Sequence, residues 1–579
     1  MRSITGRNGW LSHSIAVAAA LLVAGLQVLI SPPFGASPAW AGYELPPGER
    51  ITNLPHIPRA MPQKEAYEVY DPVIGRNFDI KNFWLRADLR VRPEWRTNAC
   101  FGSINGAAGA CNNASAAGVV GAGTQGKAND MYVQQWVRLG IGYDLSPDVN
   151  FYFELIDAAT WGGNGNQVNA GNAGDPLNHN CGNQNQATPA AGATLSTSAN
   201  CRLGVRAAYV LVRNLAGIQG LSMKAGRQYV IFGNHSLFGH FDWANTGYSH
   251  DGIMFQYSTK NFESYLGWFR NSESDLPQAA PVGSLSAPVA GGTSTVGVND
   301  ANRDADMIIF YNQIKNIPGF LIEPYYVWYS NRYAANANFA FGNGTPKASN
   351  QTRHMLGGRI EMRKGNWDAI TENAWQFGAM GNGGCNGQEK CKHINAWASR
   401  NWIGYTHYQS KWKPRIAAAF DYASGDGRNY CGGTGATPAG PGGCSSANTF
   451  ENFFPTNHIH MGYADVIAWK NMWTPQANLQ FRPTERDHFE IWYSNMNVAS
   501  KNDCWYRAAQ GCYVQPRPGV TTSNHIGDEI DVTWTRMFAD GKVALQATYS
   551  EFFTGGFTSQ SLGTNANQSW GFVQLWMNF

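Results

Sequence analysis

Trp570-Gly-Phe-Val-Gln-Leu-Trp-Met-Asn-Phe579 closes the chain. Val573, Leu575, Met577 and Phe579 alternate with Phe572, Gln574, Trp576 and Asn578, the period-two pattern of a strand with two unlike faces. One face is wholly apolar; the other mixes amides with aromatic rings. Soluble sheets contain such strands too, so the meaning of this one depends on what the rest of the chain repeats.

The same alternation opens the chain's ordered pattern at Phe83 to Arg96. Phe83, Leu85, Ala87, Leu89, Val91 and Trp95 share one side, while Arg86, Asp88, Arg90, Arg92, Glu94 and Arg96 share the other. It returns over 132–143 and 149–157, joined at Asp144-Leu-Ser-Pro-Asp148, and over 205–213 and 221–231. Further strands are predicted at 251–258, 262–272, 306–315, 319–329, 353–363, 366–378, 394–407 and 412–423. The last five are 473–483, 487–497, 527–538, 542–553 and 570–579. The total is about eighteen, an even number, with short turns alternating with long loops. No later segment holds the ~20 continuous apolar residues of a membrane helix. A strand set with one apolar side throughout therefore predicts an all-β, transmembrane antiparallel barrel over 80–579, with long extracellular loops and short periplasmic turns. A sandwich or propeller offers as many strands, but no fixed 40–50-residue repeat is visible. A terminal aromatic closing the last strand also resembles the assembly signal of bacterial outer-membrane barrels.

Met1 to Ala41 reads as a signal peptide: Arg2 and Arg7, a mostly apolar run from Ile15 to Ile30, then Ala39-Trp40-Ala41 before Gly42. The apolar run is short for a membrane anchor and carries Gln27. Residues 42–79, with Pro46, Pro47, Pro55, Pro58, Pro62 and Pro72, form a proline-rich periplasmic segment too short for its own core. Cleavage removes two of 43 basic and none of 40 acidic residues, leaving 41 against 40. Such balance excludes the basic footprint of a nucleic-acid binder. Charged residues at 14% and aromatics at 13% suit lipid-facing strands with aromatic girdles. The predicted location is the outer membrane of a Gram-negative-type bacterium. Its expected partners there are lipid, lipopolysaccharide and the barrel-assembly machinery.

Ten cysteines fall into five close pairs: Cys100/Cys111, Cys181/Cys201, Cys385/Cys391, Cys431/Cys444 and Cys504/Cys512. An even count in an exported chain favours disulfides, and short separations favour local ones, although sequence fixes no connectivity. All five pairs fall in the predicted long loops. Each would restrict its loop by roughly 2–4 kcal/mol. Cys-x-x-Cys-His is absent, and Cys385, Cys391 and His393 do not match a common zinc spacing.

Several segments resemble the alginate-export family of outer-membrane barrels. They are Ala225-Gly-Arg-Gln228; Gly233-Asn-His-Ser-Leu-Phe-Gly-His-Phe-Asp-Trp-Ala-Asn245 with His250-Asp-Gly-Ile253; and Lys413-Pro414 with Asp421-Tyr-Ala-Ser-Gly-Asp426. Gly462-Tyr-Ala-Asp-Val466 with Asn471, and Ile526-Gly-Asp-Glu-Ile-Asp531, complete the set. The resemblance implies an eighteen-stranded barrel that passes an anionic polysaccharide, or smaller solutes, passively. Strand parity sends Arg86, Arg90, Arg92, Arg138, Arg206, Arg227, Arg359, Arg363, Arg415 and Arg482 inward, together with Asp88, Glu154, Asp368, Glu372, Asp421, Glu490, Glu529 and Asp531. Arg86, Arg90 and Arg92 either form a positive ladder opposed by acidic strands or pair with those acids and stabilise the wall.

His240, Asp242, His250 and Asp251, with His235, cluster around one segment. With no nucleophile motif beside them, the expected role is a pore-constricting inward loop rather than hydrolysis. Asp300, Asn302, Asp304 and Asp306 have calcium-loop spacing but lack the turn glycine and distal Glu. No catalytic, metal or cofactor site is assigned. The functional expectation is a passive outer-membrane channel for a hydrophilic solute or polysaccharide, anionic ones included, filtered by lumen charges and inward loops. The alternatives are a structural or partner-binding barrel, such as a sheath for an electron-transfer partner, and an outer-membrane hydrolase. Sequence does not distinguish a monomer from a trimer.

Overall fold

A strand whose two faces differ must bury one edge partner on each side, and an even set of them can satisfy every backbone group only by closing. The computed structural model shows that closure. It describes residues 82–98, 130–162, 203–243, 247–272, 305–331, 351–380, 392–426 and 446–578, apart from 507, 509–511, 515, 518 and 564–565. The barrel lies in the compact unit Arg50–Phe579.

Its first strands are β1 (Phe83–Arg96), β2 (Asp130–Ser146), β3 (Val149–Gly162), β4 (Leu203–Val212), β5 (Leu221–Gln228), β6 (His250–Ser258) and β7 (Phe262–Ser272). Then come β8 (Ala305–Ile314), β9 (Phe320–Asn331), β10 (Gln351–Lys364), β11 (Trp367–Met380), β12 (Lys392–Thr406), β13 (Arg415–Ala423) and the short β14 (Ser446–Ala447). The rest are β15 (Met472–Phe481), β16 (Asp487–Asn497), the short β17 (Trp505–Tyr506) and β18 (Cys512–Val514), β19 (His525–Phe538), β20 (Val543–Thr554) and β21 (Gln568–Asn578). Without the three short pieces, eighteen strands form one antiparallel ring. β1 closes it on β21, with Val91 opposite Leu575 and Glu94 opposite Phe572.

All eighteen predicted strands are present. β5 is three residues shorter than predicted, ending at Gln228, because the chain there leaves the wall for the lumen. The last strand ends at Asn578, and Phe579 lies outside the described residues. The longest connections on one side, between Val212 and Leu221 and between Thr406 and Arg415, have eight residues each; the shortest on the other, between Met380 and Lys392, has eleven. The wide side is the extracellular one. Every cysteine falls in a connection of that side by sequence. Cys504 is buried and disulfide-bonded. Cys100, Cys111, Cys181, Cys201, Cys385, Cys391, Cys431 and Cys444 lie outside the described residues, as do the signal segment and residues 42–79.

The molecule is packed inside out. Leu85, Leu139, Phe153, Leu266, Ile416 and Leu575 are exposed on the outer face, where lipid replaces water. Arg90, Arg92, Arg138, Arg206 and Arg359, by contrast, are almost completely buried on the lumen side. The wall alone does not bury them. What covers them is chain that folds into the barrel.

Candidate functional site

Two wide-side connections turn inward. The first runs from Tyr229 to Ser249, between β5 and β6, and the second from Asn448 to Asn471, between β14 and β15. Val230, Leu237 and Phe238 from one, with Phe450, Phe453, Phe454, Tyr463 and Trp469 from the other, belong to one buried apolar cluster shared with the wall. A loop can sit in a polar lumen only if its backbone groups find partners. These loops partner each other: Gly239 N donates to Phe454 O at 2.9 Å, Phe454 N to Leu237 O at 3.0 Å, and Thr456 N to His235 O at 2.9 Å.

The wall holds what remains. Arg138 donates to Asp242 Oδ2 at 2.9 Å and Arg206 to Asp242 Oδ1 at 3.0 Å, so two guanidinium groups clamp one loop carboxylate. Arg206 also donates to the His240 carbonyl at 2.8 Å and to Ser249 Oγ at 2.7 Å. Arg90 donates to the Asp242 and Trp243 carbonyls, and Arg92 to the Trp243 carbonyl at 2.9 Å. Burial alone would raise the Asp242 carboxyl, but Arg138, His240 and Arg206 outweigh it and hold the group well below the usual carboxylate range. His235 is pushed down to about 3, first by burial and then by His240 beside it. His240 is lowered by burial, with Asp242 opposing.

Trp243 joins the two loops to the wall. The Arg92 guanidinium carbon lies 3.4 Å from its ring centroid, and the His458 imidazole stacks on it at 3.6 Å and 4°. Its indole Nε1 donates to Asp465 Oδ2 at 2.7 Å, and the other oxygen of Asp465 pairs with His458 Nδ1 at 2.9 Å. The acidic strands take the opposite polarity of backbone. Ala464 N donates to Glu529 Oε1 at 3.0 Å, Tyr463 N to Asp531 Oδ2 at 3.2 Å, and Tyr463 Oη to Glu490 at 3.2 Å. Basic strands thus hold loop carbonyls, and acidic strands hold loop N–H groups.

Arg86 pairs with Asp88 at 3.1 Å and keeps more of its side chain exposed, 12%, than any of the clamp residues Arg90, Arg92, Arg138 and Arg206. Arg359 pairs with Glu323 and Glu361, and Glu372 accepts from Tyr325 Oη at 3.1 Å. Arg415 forms a two-pronged pair with Asp368 at 2.6 and 2.9 Å. Asp421 pairs with Arg400 at 3.2 Å. Of the acidic strands, β19 with Glu529 and Asp531 is separated from β1 only by β20 and β21, whereas β11 with Asp368 and Glu372 lies across the ring from it.

Two expected lumen or loop positions are corrected. Arg227 and Asp251 pair with each other at 2.8 Å on the outer face. Lys224 and Gln228 are the buried residues of β5, so its even positions face inward and Arg227 faces out. Asp251 is opposite Arg227 in the β5–β6 register and lies in β6 itself, not in the loop. His250 one residue earlier does face inward, 5.0 Å from the Phe454 ring. Asp306 likewise pairs on the outer face, with Arg270 at 3.0 Å. Among the described residues no cluster of potential metal ligands is present.

Sequence reasoning missed the second inward loop and Arg400, whose guanidinium reaches Ser236 Oγ of the first loop at 2.9 Å. The signal was there: Phe450, Phe453, Phe454 and Trp469 crowd a connection whose preceding part is Gly- and Pro-rich.

A protein-family model described as Alginate export matches residues 122–572. The chain belongs to the alginate-export family. This alginate-export protein is an outer-membrane β-barrel, and its family is one of channels. No curated protein matches it. Among solved structures it is similar to Acinetobacter baumannii OccAB2, at 9% identity and a TM-score of 0.46, covering 86% of this chain and 98% of that one. Pseudomonas aeruginosa OccD3 (OpdP) gives 10% and 0.44, covering 86% and 91%. The P. aeruginosa outer membrane protein OprD gives 9% and 0.43, covering 86% and 94%. The fold of the alginate-export protein rests on its own closed register, not on these likenesses.

Proposed function

We propose that the barrel is a loop-gated channel for a hydrophilic anionic solute, a carboxylated polysaccharide being the class that fits best. The observation that carries this reading is the Asp242 clamp. A loop carboxylate occupies the centre of a buried cationic site made by Arg138 and Arg206, with Arg90 and Arg92 holding the carbonyls beside it.

Withdrawing Asp242 would take from buried Arg206 its carboxylate partner and leave Arg138 with Asp88 at 3.3 Å and Glu154 at 4.0 Å, at a cost of several kcal/mol. A solute carboxylate removes that cost by taking the vacated place, because its two oxygens accept from Arg138 and Arg206 as those of Asp242 do. A cation or a neutral sugar offers no such exchange. The positive ladder is therefore covered while the loop is seated and becomes a path for anions once it is displaced. Movement through the lumen is passive, and passage is filtered by charge sign. His240 and His250 serve the packing of the loop in this reading, with no acid–base role.

The test is single-channel conductance of the purified protein in planar bilayers. Asp242→Asn keeps the shape of the anchor but removes its charge, and openings should become several-fold more frequent and anion-selective. A polyuronate added to the wild-type protein should raise its opening frequency. Unchanged gating in the variant, with the folded barrel verified by its heat-modifiable mobility, would refute the clamp. A partner-binding barrel is the second reading, favoured by how much wall the two loops cover; silence of both wild type and Asp242→Asn would decide for it.

A further inference from the structure

The outer face of a lipid-embedded barrel has no reason to carry amides at mid-height, where no water or headgroup meets them. This barrel carries four polar side chains there. Thr371 and Asn373 are the fifth and seventh residues of the fourteen in β11, and Ser399 and Asn401 the eighth and tenth of the fifteen in β12. The register places Thr371 opposite Asn401 and Asn373 opposite Ser399. Their neighbours Trp375 and Trp397, 48% and 50% exposed, show that this is the outer side.

The four form a small connected cluster. Thr371 Oγ1 donates to Asn401 Oδ1 at 2.8 Å, Asn373 Nδ2 to Thr371 Oγ1 at 3.2 Å, and Asn401 Nδ2 to Ser399 Oγ at 2.9 Å. Two asparagine amides and two hydroxyls have more donors and acceptors than these three bonds use. Gly358 lies beside Asn373 in the β10–β11 register, and nothing but a backbone oxygen 3.9 Å away would meet a side chain there. The wall is thus low beside the cluster, which permits close approach of another surface. Small residues flanking polar ones are how membrane proteins bring two walls together.

We propose that this patch is the contact face of a homodimer. The patch holds no charge, so a headgroup phosphate or a charged partner finds no counter-ion. Every group in it both donates and accepts, or sits beside one that does the reverse, so the patch is complementary to itself. Two upright copies related by an axis along the membrane normal bring equal heights together, and Asn373 and Asn401 of one meet those of the other. A two-fold contact uses one patch twice, whereas a ring of three needs two different patches. Other polar pairs on the outer parity, such as Asn495 with Asp528 and Ser264 with Asn312, lie nearer the strand ends.

The experiment is native mass measurement of the full protein in lipid nanodiscs and mild detergent, with Asn373→Leu/Asn401→Leu alongside. Wild type should run at twice the chain mass and the double variant at the chain mass, both with the heat-modifiable mobility of a folded barrel. Leucine is at home in lipid, so the variant tests association rather than folding. Asn373→Cys should also give an oxidant-dependent cross-link between copies, and Leu139→Cys, exposed on β2 across the ring, should not. A wild-type monomer, a trimer, a dimer that survives the double substitution, or a monomer carrying a different protein on this face would each overturn the proposal.

Discussion

His235 is a residue whose position has a consequence in pH. Its imidazole is buried in the first inward loop, 4.9 Å from the His240 ring, and faces Asp242 and Arg359 as well. Burial favours the neutral ring, so folding of this loop carries a proton-release term: its contribution is complete above the ordinary value of 6.5 and is lost as pH falls toward about 3. His240 is lowered too and adds the same sign. Asp242 has its carboxyl held low and remains ionised through the window, so its clamp resists the change. The expected outcome is that bilayer conductance rises as pH is lowered from 6.5, and that His235→Asn flattens the profile. An identical profile in the variant would assign the response elsewhere. At the same scale Trp243 shows how aromatic and charged groups cooperate: one face meets a guanidinium, the other an imidazole, and its N–H meets a carboxylate.

The two inward loops are elements without regular structure, held by side-chain networks. In the second, Lys470 Nζ pairs with Glu451 at 2.7 and 3.0 Å, both fully buried, and Gln376 on β11 donates to the Glu451 carbonyl at 2.5 Å. Burial raises the Glu451 carboxyl and lowers the Lys470 ammonium, and each group opposes the other's shift. Removing one member leaves the other charge buried, at a cost of about 3–5 kcal/mol, whereas removing both is milder. Amide hydrogen exchange over 448–471 should therefore accelerate strongly in Glu451→Gln and in Lys470→Met, and less in the double substitution than the sum of the two. Additive effects would show that the pair is not coupled. The strand elements were readable because a face that meets lipid must be apolar at every second residue. The second inward loop was not, because its aromatic residues are out of strand phase and their burial depends on contacts with residues more than two hundred positions away, such as Phe238 with Phe454.

For the whole molecule, closure is the term on which everything else depends. β21 pairs with β20 on one side and β1 on the other, so a break there opens two edges at once. Leu575→Pro removes a ladder donor between two paired neighbours and should abolish the heat-modifiable folded band on cold gel electrophoresis, while Leu575→Val should leave it intact. A folded band in the proline variant would mean that the ring tolerates an open seam. The sequence by itself determined the strand number, their order, the turn and loop sides, and the inward position of most charges, because period-two alternation in a lipid-facing sheet is a local property. It misplaced Arg227: Lys224 and Gln228 take the inner face of β5, which leaves the odd-numbered Arg227 outside. Tertiary structure alone decided what the inward charges do. Along the chain Arg86, Arg90 and Arg92 read either as an open ladder or as paired wall charges; in the fold Arg90 and Arg92, with Arg138 and Arg206, hold Asp242 and the carbonyls of a loop, because whether a charge meets solute or protein depends on which distant segment fills the space before it.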